Sequence, residues 1–131
     1  MKRFTKKIWL IDDDPLTNLI HQTLLNHYDS TIEVLEFSFG RDALEALKKG
    51  ENLPDLIFLD INMPEIDGWQ FLDIFEEMNL DIRLLMVSSS IYTEDIKRAR
   101  TYPCVENFVS KPLTIAHLQK YVPKEQKVKI G

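Results

Sequence analysis

The chain is poor in cysteine. Cys104 is the only cysteine among the 131 residues, and an intrachain disulfide is therefore excluded. Proteins of reducing compartments rarely depend on disulfides, so we expect a cytoplasmic location.

Long hydrophobic runs are also missing. No apolar stretch approaches the roughly 20 residues that a membrane-spanning helix requires. The N-terminus is basic, but only the short run Ile8–Ile11 follows before three aspartates. A run of that length predicts a strand and not a signal-peptide core. We expect no membrane partner.

The chain has no excess of positive charge. Its net charge is −5, from 16 Lys and Arg against 21 Asp and Glu, which argues against a general nucleic-acid-binding surface. Repeats, low-complexity tracts and Pro-, Gly- or Ser-rich linkers are absent too. A length of 131 residues and an apolar fraction of 44% fit one domain with one core. We expect a single domain over 1–131, with its core at about 7–122 and a polar tail at 123–131.

Short apolar runs alternate with helix-period segments along the chain. The predicted strands are Lys7–Ile11, Ile32–Phe37, Asp55–Leu59, Ile82–Val87 and Val105–Val109. They are mostly apolar on both faces, as strands covered by helices should be. The predicted helices are Pro15–Tyr28, Gly40–Lys49, Gly68–Asn79, Thr93–Thr101 and Leu113–Val122. This alternation indicates an α/β fold, a parallel sheet with helices on both faces, but leaves the strand order open.

The first helix has two further features. Asp14 is the expected N-cap, because Pro15 suits the first helical position. An apolar stripe runs along the helix and contains Leu16, Leu19, Ile20 and Leu24.

Polar side chains stand at the carboxyl ends of four predicted strands. Asp12 and Asp13 follow the first, Asp60 the third, Ser88 the fourth and Lys111 the fifth. In an open parallel sheet this edge is where ligands bind. Each residue alone also fits an ordinary role, such as a strand-end cap, a loop serine or a surface lysine.

Together these residues suit phosphoryl chemistry. Carboxylates placed so closely repel one another, and a divalent cation removes the conflict. Mg²⁺ prefers oxygen ligands and needs only one or two carboxylates besides waters and a phosphate oxygen. Asp60 can attack phosphorus to give an acyl phosphate, while Ser88 and Lys111 can bind the phosphoryl oxygens.

These motifs resemble the receiver domain of two-component response regulators over about Lys7–Val122. The acidic pair is Asp12-Asp13, and the run from Asp60 to Gly68 matches the phosphorylation-site motif with its Met-Pro and Asp-Gly. Ser88 and Phe108 stand where the family has its switch residues. Lys111-Pro112 matches a lysine–proline pair whose peptide bond is usually cis.

The resemblance implies a flavodoxin-like (βα)5 fold with strand order 2-1-3-4-5. It also implies that Asp60 accepts a phosphoryl group from a histidine kinase or a histidine phosphotransfer protein. Lys111 and Ser88 would contact the phosphoryl group. Ser88 and Phe108 would change position when the group is present. The implied Mg²⁺ ligands are Asp12, Asp13, Asp60 and the backbone carbonyl of Asn62.

Three functions are compatible with this site. The first is a phosphorylation-controlled switch of protein–protein interactions, in a stand-alone receiver that is not itself a turnover enzyme. The second is a phosphorelay intermediate without a readout of its own. The third is an aspartyl-nucleophile phosphatase, which is disfavoured because Asn62 stands where those enzymes have a second aspartate.

The family's docking mode predicts a partner surface on the first helix. The expected contacts are Pro15, Leu16, Asn18, Leu19 and Gln22, with Pro112 and Leu113 nearby. The downstream partner is unknown from the sequence. Because the last helix carries no acidic residue, we expect a monomer or a weak phosphorylation-dependent dimer.

Single residues outside the site have plainer interpretations. Surface or helix-flank roles are expected for His21, His27 and His117. Trp69 has two interpretations, a partly exposed aromatic near a partner surface or a packing residue. Trp9 is expected in the core.

Overall fold

The computed structural model describes residues 4–90 and 92–124. The predicted tail at 123–131 falls mostly on residues 125–131, which lie outside the described residues. In the described ranges, none of the helices has the length and apolar character of a membrane span.

Five strands alternate with five helices. In chain order they are β1 (Lys7–Ile11), α1 (Pro15–Tyr28), β2 (Glu33–Phe37), α2 (Gly40–Lys49), β3 (Leu56–Leu59), α3 (Gly68–Glu77), β4 (Arg83–Ser88), α4 (Thr93–Ala99), β5 (Val105–Ser110) and α5 (Ile115–Tyr121). The predicted bounds of β1, α1 and α2 are confirmed, and the other bounds differ by one or two residues.

The strands form one parallel sheet in the order β2-β1-β3-β4-β5. This is the flavodoxin-like order that the family resemblance implied. The central pair is β1 and β3, with Ile11 opposite Leu59. The residues that follow, Asp12 and Asp60, therefore leave the sheet side by side, and the amide of Asp60 donates to the carbonyl of Ile11 at 3.0 Å.

The two faces of the sheet carry separate apolar clusters. Alternate residues of a strand point to opposite faces, so Trp9 and Ile11 join the cluster under α2, α3 and α4. Ile8 and Leu10 join the cluster under α1 and α5. Helices therefore cover both faces, as predicted, and Trp9 lies in the core, only 1% exposed.

The prediction that the strands are apolar on both faces is wrong for β2. Glu33, Leu35 and Glu36 are exposed, and Leu35 keeps 48% of its surface. The reason is position, because β2 lies at the edge of the sheet and has a neighbouring strand on one side only. The central strand β3 is buried at every residue.

The predicted apolar stripe of α1 does not face the core. Leu16, Leu19 and Ile20 are 62%, 57% and 48% exposed, and only Leu24 packs partly against the sheet. The helix buries the neighbouring face instead, which consists of Asn18, His21, Leu25 and Tyr28.

Hydrogen bonds explain how α1 can bury polar residues. Asn18 Nδ2 donates to the carbonyl of Asp12 at 2.8 Å, and Tyr28 Oη donates to the carbonyl of Val122 at 2.7 Å. His21 Nε2 accepts from the amide of Leu113 at 3.1 Å. These hydrogen bonds lower the cost of burying the polar side chains, so apolar content did not decide the orientation of α1.

The helix starts use side-chain caps. Asp14 accepts from the amide of Leu16, as predicted. Asp67 forms a capping box with Gln70 at the start of α3. A capping box of Thr114 with His117 opens α5, which confirms a helix-flank role for His117.

We predict that Gly68→Ala destabilises the fold, by about 1–3 kcal/mol. A Cβ at Gly68 would lie 2.6 Å from the carbonyl oxygen of Asp60 and 2.8 Å from Cα of Ile61, so the loop after β3 would have to shift. Urea denaturation measures the loss. Gly40→Ala is the matched control, because Gly40 also opens a helix and its Cβ would meet nothing closer than 3.4 Å. Equal losses in the two variants would contradict the prediction.

Candidate functional site

The site is built on the carboxyl ends of β1 and β3. Asp12 is 5% exposed and Asp60 is 6% exposed. Asp12 Oδ1 accepts from the amide of Asp14 at 2.9 Å, and Asp60 Oδ1 accepts from the amide of Ile61 at 2.9 Å. Each carboxylate is therefore oriented by the loop that follows it.

Lys111 joins these two carboxylates from the end of β5. Its Nζ lies 2.5 Å from Asp12 Oδ2 and 3.3 Å from Asp60 Oδ1. Its backbone amide donates to the carbonyl of Ser88 at 2.9 Å, which holds the start of the β5–α5 loop against β4. The Lys111–Pro112 peptide bond is cis, as the resemblance implied.

Asp13 completes an acidic cluster. Carboxylate oxygens of Asp12, Asp13 and Asp60 all lie within 4.8 Å of one another, and Asp13 is exposed while the other two are buried. An all-oxygen donor set with one face open to solvent fits a hard cation such as Mg²⁺, which keeps several waters. Asn62 is exposed, in the loop after β3. The role of its carbonyl as a ligand stays a prediction.

The charges of the site are unbalanced. Burial, and after it the neighbouring carboxylate of Asp12, raise the pKa of Asp60 to about 6, against the opposing effect of Lys111. Burial lowers the pKa of Lys111, but its ion pairs with Asp12 and Asp60 outweigh this and leave the pKa above its usual value. One ammonium faces several carboxylates, so a further cation would relieve the repulsion.

The two predicted switch residues lie on β4 and β5. Ser88 ends β4 and is 0% exposed, and its Oγ accepts from the amide of Ser90 at 3.2 Å. Phe108 lies on β5, is partly buried and packs against the apolar cluster under α2, α3 and α4. Their roles in signalling stay predictions.

The interpretation of His21 as a surface or helix-flank residue is wrong, because its side chain is 3% exposed. The prediction that Asn18 contacts a partner is wrong as well, since Asn18 is 1% exposed. A sequence signal existed for both. Positions 18, 21, 25 and 28 repeat with helical spacing and end in Leu25 and Tyr28. Because the first two of these four positions are polar, they do not look like part of a buried face.

Trp69 has a packing role. It is 7% exposed, its ring stacks on Tyr102 with centroids 6.0 Å apart, and the guanidinium of Arg98 lies 4.5 Å above it. Tyr102 in turn donates to Asp73 at 2.9 Å. Trp69 therefore ties the start of α3 to the end of α4.

Fold and site together define a class of protein. It is a flavodoxin-like α/β domain with carboxylates and a lysine converging at the carboxyl ends of its strands. The chain belongs to the response regulator receiver domain family, whose model matches residues 8–123.

Solved structures and curated proteins agree with this assignment. A two-component response regulator from Cytophaga hutchinsonii superposes with a TM-score of 0.81 at 30% identity, covering 90% of this chain and 94% of that one. The phosphorylated cyanobacterial phytochrome response regulator RcpA superposes with a TM-score of 0.74 at 28% identity, covering 89% and 88%. The probable C4-dicarboxylate response regulator DctR of Halalkalibacterium halodurans is 29% identical over 113 residues.

The chain spans about half the length of that curated relative, since the match covers 86% of this chain and 48% of DctR. Receiver domains are signalling domains of two-component systems and interact with histidine kinases or phosphotransfer proteins. Members of the family also occur inside kinases, as in the Helicobacter pylori sensor histidine kinase CheAY, which is 30% identical over 120 residues that make up 15% of its length.

We predict that Asp60→Asn stabilises the metal-free protein at pH 7.5, by about 1–3 kcal/mol. The folded-state pKa of Asp60 is raised from 3.8 to about 6, so ionisation of this carboxyl opposes folding. The cost is fully present above pH 6 and disappears as the pH falls towards 4. The gain from Asn should therefore shrink along the same range.

Thermal unfolding in the presence of a chelator, at pH 7.5 and at pH 4.5, measures this difference. Asp42→Asn, an exposed change in the first turn of α2, is the control and should alter stability little at either pH. A loss of stability in Asp60→Asn at pH 7.5 would show that the Asp60 carboxylate is net stabilising.

Proposed function

We propose that this chain accepts a phosphoryl group on Asp60 from a histidine kinase or phosphotransfer protein and thereby switches a protein–protein interaction. The observation that supports this most directly is the meeting of Asp12, Asp60 and Lys111, with Nζ 2.5 Å from one carboxylate and 3.3 Å from the other. We further propose that it acts in the cytoplasm.

The transfer needs a free oxygen lone pair on Asp60. That oxygen attacks phosphorus, the bond from phosphorus to the donor's histidine nitrogen breaks, and its electron pair stays on the nitrogen. Lys111 already contacts Asp60, so its ammonium can neutralise an oxygen of the arriving group. Ser88 must turn its hydroxyl from the amide of Ser90 towards that group. Water entering the same site would hydrolyse the acyl phosphate.

Mg²⁺ is the cofactor that fits this donor set. Asp12, Asp13 and Asp60 would hold it, with the backbone carbonyl of Asn62 as a further ligand. When bound it supplies positive charge next to the phosphoryl oxygens, as phosphoryl transfer generally requires. Lys111 would then be free to pair with the phosphoryl group instead of compensating Asp12.

Readout begins at Ser88 and Phe108. Both lie near the α4–β5–α5 side, and Phe108 already packs against the apolar cluster under α2, α3 and α4. Movement of Ser88 towards the phosphoryl group leaves room that Phe108 can fill, which shifts the population of two surface arrangements. We propose that the downstream partner distinguishes these arrangements, and that the protein is a monomer or a weak phosphorylation-dependent dimer.

The phosphoryl donor has an apolar surface to dock on. Leu16, Leu19 and Ile20 of α1 are exposed, and the exposed Pro112 and Ile115 of the β5–α5 region belong to the loop and helix next to Lys111. Exposed apolar patches of this kind mark interaction sites. Unlike Asn18, the predicted contacts Leu16, Leu19 and Gln22 are accessible on the surface of α1.

We predict Mg²⁺-dependent phosphorylation at Asp60 alone. Intact-mass measurement after incubation with acetyl phosphate should show one added phosphoryl group in the native protein. The group should be absent when Mg²⁺ is chelated and absent in Asp60→Asn. Asp42→Asn is the control and should be labelled normally. Labelling retained in Asp60→Asn would place the acceptor elsewhere.

We predict that Ile20→Arg slows transfer from the cognate donor protein at least about tenfold. The charged Arg side chain would have to lose its hydration in an apolar contact, which costs free energy. Labelling by acetyl phosphate should stay unchanged. Leu35→Arg is the matched control, because Ile20 and Leu35 are both 48% exposed and Leu35 lies on β2, away from the site. Equal slowing with both donors would indicate damage to the site and not to a docking surface.

A further inference from the structure

Two buried polar side chains of α1 hold the two loops that carry the central ion pair. Asn18 Nδ2 donates to the carbonyl of Asp12 at 2.8 Å, at the start of the β1–α1 loop. His21 Nε2 accepts from the amide of Leu113 at 3.1 Å, in the β5–α5 loop. Both side chains are almost fully buried, at 1% and 3% exposure.

The loops meet again at their charged side chains. Leu113 follows Lys111 by two residues, and Lys111 Nζ lies 2.5 Å from Asp12 Oδ2. Residues three apart on a helix are neighbours about 5–6 Å apart, so Asn18 and His21 offer two fixed points on one rigid element. The backbone of α1 therefore sets how far the loop of Asp12 lies from the loop of Lys111.

We propose that Asn18 and His21 are positioning residues, a clamp that sets the metal-ligand geometry of Asp12 and the reach of Lys111 towards the phosphoryl group. The proposal rests on the proposed function of the site. Asn18 acts through Asp12 and therefore on the affinity for Mg²⁺. His21 acts through the β5–α5 loop and Lys111, and therefore on the rate of transfer.

A purely structural role explains these residues poorly. The same face of α1 continues with the apolar Leu25, which packs at 0% exposure without any hydrogen bond to satisfy. Asn18 Oδ1 is buried and has no hydrogen-bond partner among the described residues. An unpaired buried carbonyl is destabilising, so an apolar residue at this position would favour stability.

The protonation state of His21 agrees with its role as an acceptor. Burial lowers its pKa, and the nearby charge of Lys111 lowers it further, with Asp12 opposing. The ring is therefore neutral at pH 7, and Nε2 remains available to the amide of Leu113. The amide of Lys111 is meanwhile held by the carbonyl of Ser88, so the loop is fixed at two points.

The test compares Asn18→Leu and His21→Leu with Tyr28→Phe. The control lies on the same face of α1 and also loses one buried hydrogen bond, from Tyr28 Oη to the carbonyl of Val122, away from the site. Two quantities are measured: the Mg²⁺ midpoint, from the amide NMR shifts of the unphosphorylated protein, and the maximal rate of labelling by acetyl phosphate at saturating Mg²⁺.

Asn18→Leu should raise the Mg²⁺ midpoint about tenfold, the scale at which outer-shell partners of metal ligands act. His21→Leu should leave the midpoint within about twofold and lower the maximal rate about tenfold. Tyr28→Phe should change neither quantity, although its thermal stability falls.

Rescue separates the lost acceptor from lost packing. The Oε1 of Gln reaches the place of Nε2, so His21→Gln should restore most of the rate, whereas the shorter side chain of His21→Asn should not. If His21→Leu fails to fold, the comparison of His21→Gln with His21→Asn tests the role of His21 instead. Equal rates in His21→Gln and His21→Asn would overturn the role of His21.

An unchanged Mg²⁺ midpoint in Asn18→Leu, or equal effects in Tyr28→Phe, would overturn the clamp. The midpoint needs no phosphoryl donor, so it can be read even if the native protein takes no label. Absence of labelling in the native protein would count against the proposed function alone.

Discussion

The structure depends on a buried ion pair between Asp12 and Lys111, two residues that are far apart along the chain. Its Nζ–Oδ2 distance is 2.5 Å, and Asp60 lies beside it with its pKa raised to about 6 by burial and by Asp12. Buried charges are tolerated only when they are paired, so Lys111 is required while no other cation is present. The negative charge that remains would be relieved by a further cation.

The strand order makes this pair possible. β1 and β3 are neighbours at the centre of the sheet, so Asp12 and Asp60 emerge side by side, while β5 lies two strands beyond β3. Lys111 therefore reaches the centre through the loop after β5 and the length of its own side chain. That loop is fixed by the carbonyl of Ser88 on one side and by His21 on the other.

Helix α1 serves two surfaces with opposite chemistry. Its inner face begins with Asn18 and His21, whose hydrogen bonds hold the loops of the site. Its outer face exposes Leu16 and Ile20 beside the site, on the surface where we propose that the phosphoryl donor docks. In the first half of α1, polar residues face inward and apolar residues outward, the reverse of an ordinary amphipathic helix. That inversion accounts for the misassigned apolar stripe.

The sequence alone determined the elements and the chemistry of the site. Apolar runs and caps such as Asp14 act over a few residues, so β1, α1 and α2 were predicted at their observed bounds. Strand ends placed Asp12, Asp60 and Lys111 at one edge because parallel strands share it. The family resemblance supplied the strand order, which periodicity had left open.

Tertiary structure decided which side of each element is buried. The exposure of Leu35 follows from the edge position of β2, and the burial of His21 follows from a hydrogen bond to Leu113, 92 residues along the chain. The distance between Lys111 and Asp12 is likewise set by contacts between remote segments. The local periodicity of the sequence does not identify contact partners that are remote along the chain. These contacts form only when the helices and loops pack around the sheet.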